Sequence, residues 1–358
     1  MAVMTEASRQ FVTPLSLEVA SQNRVLTSLF EEPLTHIKLP AGADLLIIAP
    51  ATANIIGKYA NGIADDLLST CLLSYTGKVI IAPAMNWRMY ENRIFQENLR
   101  KITSSPEVIQ VGPEKGDLAC GEEGIGRMAD VTVLMEEIKA ALSKKDLVRE
   151  NIVVTAGPTR EYLDPVRFIS NRSSGKMGYA MARAARNRGA DVTLISGPSA
   201  LKKPSGVKFI QADSSREMSD AVQNAVTEDT TVLIMAAAVA DFSPAERHES
   251  KIEKGDELRL TLRCTEDIIS TVSRRDKRPF IIGFAAETGN DTVRAVDKMR
   301  RKKMDMIVFN DVTEPGAGFD VDTNRVVIID KSGETGLALM DKDLVAEAIL
   351  DRFSEMRA

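Results

Sequence analysis

The stretch Asn151-Ile-Val-Val-Thr-Ala-Gly-Pro-Thr-Arg160, followed by Ile169-Ser-Asn-Arg-Ser-Ser-Gly-Lys-Met-Gly178, decides the fold of the second half of this chain. Its β-branched run predicts a buried strand that ends in a tight turn at Ala156-Gly-Pro-Thr159. A loop of Ser, Asn and Gly then leads into a helix expected over residues 176–188, and Asp191-Val-Thr-Leu-Ile195 predicts the next strand. Strand, turn, helix and strand in this order form the unit of a parallel α/β sheet. Exposed N–H groups and hydroxyls at a helix N-terminus make an anion site. A serine-capped helix with a flexible approach loop would have the same sequence. A nicotinamide-dependent oxidoreductase of Rossmann type is the obvious rival, and it fails on two counts. The spacing GxGxxG does not follow the strand. The second strand runs into Ser196-Gly-Pro198, with no acid to hold a ribose.

Working outward, further strands are expected at residues 231–235, 280–283 and 305–309. Arg325-Val-Val-Ile-Ile329 and Gly336-Leu-Ala-Leu339, joined by residues 331–335, predict a hairpin near the end. The polar run Ser143-Lys-Lys-Asp-Leu-Val-Arg-Glu150 reads as a linker. Before it, Asp44-Leu-Leu-Ile-Ile-Ala49 and Lys78-Val-Ile-Ile-Ala-Pro83 predict buried strands. One helix or a pair is expected over 54–74, and another over 131–144. The expected architecture is α/β, two three-layer domains in tandem. The second domain opens on a strand and a phosphate-type turn. The first opens on Ala2-Val-Met-Thr5, which reads as the end of a strand.

Composition bounds the function. The 358 residues, 44% hydrophobic and 27% charged, describe a globular chain long enough for two domains. No window approaches the roughly 18 apolar residues of a membrane span, and the start lacks the basic and apolar regions of a secretory signal. A net charge of −5 gives no pull toward nucleic acid. Cys71, Cys120 and Cys264 are widely spaced, which argues against disulfides and a cysteine zinc site and fits a reducing cytoplasm. With His36 and His248 as the only histidines, a multi-histidine metal centre is excluded.

Three segments of the first half carry chemistry. His36 lies ahead of a buried strand, Pro83-Ala-Met-Asn86 follows a strand end, and Ala119-Cys-Gly-Glu-Glu-Gly-Ile-Gly-Arg-Met128 is a glycine-rich loop with a thiol. Each has a structural alternative: a hydrogen-bonded surface histidine, a helix cap at Asn86, a small buried hydrophobe at Cys120. Together they suggest a mobile loop closing over an acid, an amide and a thiol. In the second half, Met235-Ala-Ala-Ala-Val-Ala-Asp241 is a strand end of small residues that permits a flat ligand. Lys298 and Lys302 share a helical face. With Arg300, Arg301 and Lys303 they form either a solvated basic turn or a triphosphate site.

These residues resemble a known pair of families. Thr5-Glu-Ala, Phe11-Val-Thr-Pro14, Ala49-Pro-Ala-Thr-Ala-Asn54, Asn61-Gly-Ile-Ala-Asp-Asp-Leu67, Pro83-Ala-Met-Asn86 and Ala119-Cys-Gly through Gly126-Arg-Met128 resemble flavin-dependent cysteine decarboxylases, in order over the first half. The resemblance implies a flavodoxin-like flavoprotein domain over 1–145 that binds FMN through Ala51, Thr52, Asn54, Ser69 and Met85. It implies that His36 assists oxidation and decarboxylation, that Asn86 holds the substrate carboxylate, and that Cys120 protonates the ene-thiolate. It also places a strand and a glycine/serine-rich turn, holding the FMN phosphate, ahead of the position of Met1. The first domain is therefore expected to be N-terminally incomplete.

The second half, 151–358, resembles the phosphopantothenate–cysteine ligase domain and implies a Rossmann-like fold. The matching pieces are Ala156-Gly-Pro-Thr-Arg160, Asp164-Pro-Val-Arg167, Ile169 to Gly178, Ala237-Ala-Val-Ala-Asp241, Lys251-Ile-Glu-Lys254, Gly283-Phe-Ala-Ala-Glu-Thr288 and Asn310-Asp311. The resemblance implies CTP as co-substrate, Mg²⁺ and an acyl-cytidylate attacked by the cysteine amine. Asn171 would bind the phosphopantothenate carboxylate and act on the intermediate, and Lys251 would stabilise charge at phosphorus. Asp241 would meet the nucleotide or its metal, with Ala236 and Ala237 beside it. Glu266, Asp267, Ile268, Ile269 and Phe284 would shape the cytidine pocket, and Lys298 and Lys302 would hold the triphosphate. Glu253 departs from the family, where that position is often basic. A homo-oligomer is implied, with trimeric flavin domains and dimeric ligase domains. The alternative reading is a ligase whose first half serves only as an oligomerisation platform.

Overall fold

The computed structural model describes residues 1–31, 33–117, 121, 123–255, 257–289 and 291–357. The chain divides into two compact units, Met1–Ser143 and Lys144–Ala358.

In the first unit, β1 (Ala2–Val3) and β2 (Val25–Leu26) pair in parallel across α1 (Pro14–Ser21). Thr13 caps α1 by accepting from the Ser16 amide, and Pro14 fills the first helical position, where no amide donor is needed. After α2 (Thr35–Ala41) come β3 (Leu46–Ala51), α3 (Ala53–Asn61), α4 (Leu67–Ser74), β4 (Val79–Pro83), α5 (Trp87–Tyr90), α6 (Arg93–Thr103) and β5 (Val108–Gln110). Strands β3, β4 and β5 form a parallel sheet with β4 central and buried throughout. Residues 54–74 are two helices. Gly62 turns the chain at φ +68°, and Asp66 restarts it with a capping box to Ser69. Ile55, Ile56 and Ala60 of α3 and Phe95, Leu99 and Ile102 of α6 cover one face of the sheet. An antiparallel hairpin, β6 (Glu114–Asp117) and β7 (Glu123–Arg127), precedes α7 (Val131–Leu142).

The segment read as a linker is part of the second unit from Lys144 onward. Leu147 is buried in the core, and Asp146 accepts from Arg188 at 2.8 Å. The decisive strand is β8 (Asn151–Ala156), followed by a short hairpin of β9 (Arg160–Tyr162) and β10 (Phe168–Ser170), then α8 (Lys176–Asn187) and β11 (Asp191–Ser196). Next come β12 (Lys208–Gln211), α9 (Ser215–Ala225), β13 (Val232–Met235), the paired β14 (Phe242–Pro244) and β15 (Leu262–Cys264), and α10 (Ile268–Ser273). The chain ends with β16 (Phe280–Glu287), α11 (Thr292–Arg301), β17 (Met306–Asp311), β18 (Thr323–Asn324), β19 (Val327–Asp330), β20 (Gly333–Gly336), β21 (Met340–Asp341) and α12 (Lys342–Arg357).

The main sheet has the order β12-β11-β8-β13-β16-β17-β19-β20, parallel through β17 and antiparallel beyond. Alternation along β8 sends Ile152 and Val154 into the layer of α8 and α12, and Val153 into the layer of α9 to α11. Three layers result.

Two expectations need correction. The terminal hairpin is tighter than the spacing suggests: β20 covers 333–336, not 336–339, because Asp330 accepts the Ser332 amide and Gly333 turns the chain at φ +137°. Strand β16 runs four residues past Gly283, so the Gly283-Phe-Ala-Ala-Glu-Thr288 segment is mostly strand paired to β17. Helix α12 stands outside the elements expected from the sequence.

Candidate functional sites

In the second unit, a cavity of about 660 Å³ opens beyond the C-terminal ends of β8, β13, β16 and β17. In open α/β sheets this is where ligands bind. The turn after β8 and the Ala-rich segment after β13 lie along each other. The Ala238 amide donates to the Gly157 carbonyl at 2.9 Å, and those of Ala237 and Ala240 donate to the hydroxyls of Thr155 and Thr159 at 3.2 and 3.0 Å. Only small side chains permit this approach. Gly197 behind the turn could carry no Cβ, which would stand 1.7 Å from the Pro158 oxygen.

One end of the cavity is the N-terminus of α8. Gly175 caps it at φ +81° without a side-chain bond, so the first amides face the cavity beside Ser173 and Ser174. This is the chemistry of an anion site. Asn171 sits beside it, its Nδ2 donating to the Val239 carbonyl at 3.1 Å. At the other end, Asp267 caps α10 and pairs with Lys302 at 3.0 Å, while Ile268, Ile269 and Phe284 supply apolar wall. Lys298 donates to the Phe284 carbonyl at 3.5 Å. Burial and then the Lys302 charge push the Lys298 amine below its ordinary pKa, against the pull of Glu287, Asp241 and Asp267. A cation in that state gains from an anionic ligand. Burial would raise Asp267, but Lys302 and Ser270 hold its carboxyl low.

The cavity thus brings together Asn171, Ala236, Ala237, Asp241, Glu266, Asp267, Ile268, Ile269, Phe284, Lys298 and Lys302. Lys251 is exposed and does not line it. The Glu266 carboxylate is already engaged by Ser219 at 2.8 Å, Thr271 at 3.1 Å and Gln223 at 3.3 Å, so it acts as wall more than as acceptor. Among the described residues, no group of three or more Cys, His, Asp or Glu has the arrangement of a metal site; Asp241 is exposed.

Sequence reading missed the floor and the rim. Lys342 is buried at the start of α12 and donates to the carbonyls of Gly318 and Val321, so it folds that loop. The loop also accepts Ser174 Oγ at 2.6 Å and Lys176 Nζ at 2.7 Å, and Asp320 pairs with Arg172 at 3.1 Å. Asn310 stands below, donating to the Ala317 carbonyl at 2.9 Å. Nothing local marks Lys342 or the loop at 318–321 for this part, whereas Arg172, Ser174, Lys176 and Asn310 lie in segments the sequence singled out.

In the first unit, Ala51 ends β3 and Thr52 and Asn54 open α3, both exposed. Met85 and Asn86 follow β4, tied to these residues by the Ala84 amide, which donates to the Ala51 carbonyl at 3.0 Å. Asn86 caps α5 by accepting from the Arg88 amide at 2.9 Å. Ser69 is buried, and its hydroxyl serves the capping box of α4. His36 lies in α2, and its Nδ1 is buried without a hydrogen-bond partner among the described residues. Cys120 lies outside the described residues. Gly126 packs against the Met85 carbonyl, where a Cβ would stand 2.1 Å away, so β7 lies directly on the segment that carries Asn86. No helix among the described residues is long and apolar enough to cross a membrane.

Comparison with known proteins covers both units. The family described as DNA/pantothenate metabolism flavoprotein C-terminal domain matches residues 147–356, and the family described as flavoprotein matches residues 1–143. The chain is 41% identical to the coenzyme A biosynthesis bifunctional protein CoaBC of Vibrio vulnificus (strain CMCP6), over 99% of the chain and 90% of that protein. Identity to the protein of the same name is 44% in Escherichia coli (strain K12), over 97% and 88%, and 42% in Bacillus subtilis (strain 168), over 99% and 89%. A solved C-terminal domain of CoaBC superposes with a TM-score of 0.51 at 40% identity, covering 60% of the chain and 98% of that domain. The DNA/pantothenate metabolism flavoprotein from Streptococcus pneumoniae gives a TM-score of 0.51 at 26% identity, covering 58% and 99%.

Proposed function

Because the chain belongs to the family of bifunctional coenzyme A biosynthesis proteins, we propose that it joins 4′-phosphopantothenate to cysteine and decarboxylates the product to 4′-phosphopantetheine. Residues 151–358 carry the ligation and residues 1–145 the decarboxylation. The observation that carries the reading is the 660 Å³ cavity, where an anion-binding helix start, an amide, an apolar slot and two lysines converge.

For ligation, CTP is the activating co-substrate. The apolar slot of Ile268, Ile269 and Phe284 takes a flat base, and Lys298 and Lys302 neutralise the triphosphate. Asp241 would contact the nucleotide or help hold a Mg²⁺ ion, which would offset the charge of the phosphates. One exposed carboxylate suits that ion, which keeps several waters and is commonly bound through one or two carboxylates plus substrate phosphates. The phosphopantothenate carboxylate attacks the α-phosphorus and pyrophosphate leaves, with Lys251 stabilising the charge that develops there. Asn171 holds the acyl carbonyl while the cysteine amine attacks it, forming the amide and releasing CMP.

For decarboxylation, the exposed hydroxyl of Thr52 and amide of Asn54, beside half-buried Met85, suit a flavin such as FMN, with donors for its polar edge and apolar contact for its ring. A bound flavin would take two electrons from the substrate thiol, which makes loss of carbon dioxide possible, and would return the same two electrons so that the product is again a saturated thiol. Asn86 binds the substrate carboxylate. His36, with a ring nitrogen unpartnered among the described residues, accepts a proton during oxidation. Cys120 returns a proton to carbon. The protein works as a homo-oligomer in the cytoplasm, without nucleic acid or membrane.

The test is incubation of the purified chain with 4′-phosphopantothenate, cysteine, Mg²⁺ and either CTP or ATP, following pyrophosphate and product mass. Cysteine-dependent pyrophosphate release with CTP and a product of the conjugate's mass are expected. No release with either nucleotide would overturn the reading.

A further inference from the structure

Lys251 is assigned to ligation yet stands outside the cavity, on the arm that leaves the sheet after β14 and returns at β15. An exposed arm does not hold a side chain in one place unless something offsets the entropy of ordering it. Among the described residues, His248 and Ile252 tie this one to the turn between β9 and β10, and Arg247 lies over the Tyr162 ring of β9 at 5.1 Å. The His248 amide donates to the Leu163 carbonyl at 2.8 Å. Ile252, next to Lys251, is held at both polar groups of its backbone. Its N–H donates to Asp164 Oδ2 at 3.1 Å, and its carbonyl accepts from Arg167 Nη1 at 3.0 Å.

We propose that Asp164 is a positioning residue for ligation, holding the arm that carries Lys251 through the backbone of Ile252. Asp164 is fully buried, and its two oxygens do different work. Oδ1 accepts the amides of Val166 and Arg167, both at 2.7 Å, and shapes the local turn. Oδ2 reaches 88 positions along the chain to Ile252 and also accepts Arg167 Nη1 at 3.1 Å. Burial alone would raise this carboxyl's pKa, but the amides of Val166, Ile252 and Arg167 outweigh it and keep the group ionised. A buried carboxylate saturated by donors makes a rigid anchor. The same hairpin fixes Asn171, because β10 ends at Ser170, whose hydroxyl donates to the Thr159 carbonyl at 2.7 Å. One short hairpin therefore sets the spacing between Asn171 in the cavity and Lys251 on the arm.

The inference rests on the assignment of Lys251 to ligation, and its test separates the two claims. Steady-state kcat and the KM for nucleotide in conjugate formation are measured with the full chain for wild type, Lys251→Gln, Asp164→Asn and the double variant. The Asn amide would turn an N–H toward the donors of Ile252 or Arg167, so Asp164→Asn is expected to lower kcat by about 10- to 100-fold, with the KM for nucleotide unchanged. In the Lys251→Gln background it is expected to do nothing further, since both changes remove one contribution. Equal losses in both backgrounds, a rise in KM alone, or a wild-type rate would overturn the positioning role. A wild-type rate for Lys251→Gln would overturn the Lys251 assignment itself, and the inference with it. If Asp164→Asn does not fold, Ile252→Pro takes its place, because it deletes the one N–H and leaves the turn intact. The same kcat loss is then expected, and a wild-type kcat overturns the proposal.

Discussion

Replacing Gly178 with alanine tests whether α8 rests on β8 as closely as the structure has it. Alanine is the better helix former, by about 1 kcal/mol in an exposed helix interior. Taken alone, that would stabilise the protein. At Gly178, however, the new Cβ would stand 2.5 Å from the Cβ of Ala156 and 2.8 Å from the carbonyl oxygen of Thr155. Carbon atoms in contact prefer about 3.5–4.0 Å, so helix and strand must part by about 1 Å. Both are in the core, and overpacking of this kind costs about 1–3 kcal/mol. Two contacts below 3.0 Å, one of them to backbone, put this site in the upper part of that range, about 2–3 kcal/mol, so after the propensity gain the net expectation is a loss of about 1–2 kcal/mol. At about 2–4 °C per kcal/mol for a domain of this size, the melting temperature should fall by about 2–8 °C. Thermal inactivation of ligation, with calorimetry of the second unit's transition, reads this directly. Because the first turn of α8 lines the cavity, the KM for the anionic substrate should rise as well. Gly336→Ala is the control: a Cβ there meets nothing within 4 Å, and no loss is expected. A Gly178→Ala protein as stable as wild type, or more so, would show that the contact is not tight and that propensity decides.

Other consequences follow from charge and from the assigned chemistry. Lys298 has its pKa lowered by burial and by Lys302 from an ordinary 10.5. A lowered lysine pKa means that the folded state binds this proton less tightly than the unfolded state does. Stability should therefore rise with pH between the lowered value and 10.5, and an anionic ligand should reverse the shift. Nucleotide binding is expected to take up protons at alkaline pH, seen by calorimetry in buffers of different ionisation enthalpy; no uptake would refute the contact. Arg188 is fully buried and donates to Asp351 at 2.7 Å and Ser354 at 3.1 Å as well as Asp146. Arg188→Ala strands these groups and should cost about 3 kcal/mol in urea unfolding, the low end for a broken buried pair because the carboxylates are partly solvated. Asn171→Asp should make the acyl-cytidylate accumulate, or block its formation, in quenched reactions read by mass; normal turnover would remove Asn171 from its role.

Much of the second unit's cavity was legible because many of its residues sit at or near the ends of strongly patterned strands. Asp241 and Phe284 come to the cavity because parallel strands bring their C-terminal ends to one edge, while Asn171 follows the β9–β10 hairpin and Lys298 comes from α11. The first half is less legible for a related reason. Ser69 and Asn86 serve as helix caps in the structure, and Ser, Asp and Asn at such positions look alike whether they bind a ligand or start a helix.

The sequence by itself determined the tandem α/β plan, most strand positions, the close turn at Gly157 and the anion-type start of α8. These depend on neighbours a few positions away, on side-chain periodicity and on glycine's backbone freedom. The tertiary structure alone decided which charges are buried and which arms are held. Lys342 becomes a buried organiser of the loop at 318–321, Arg188 gathers carboxylates from 42 and 163 positions away, and Asp164 reaches Ile252 across 88. Their desolvation and pairing arise only when distant segments meet in the folded chain, so no local pattern records them.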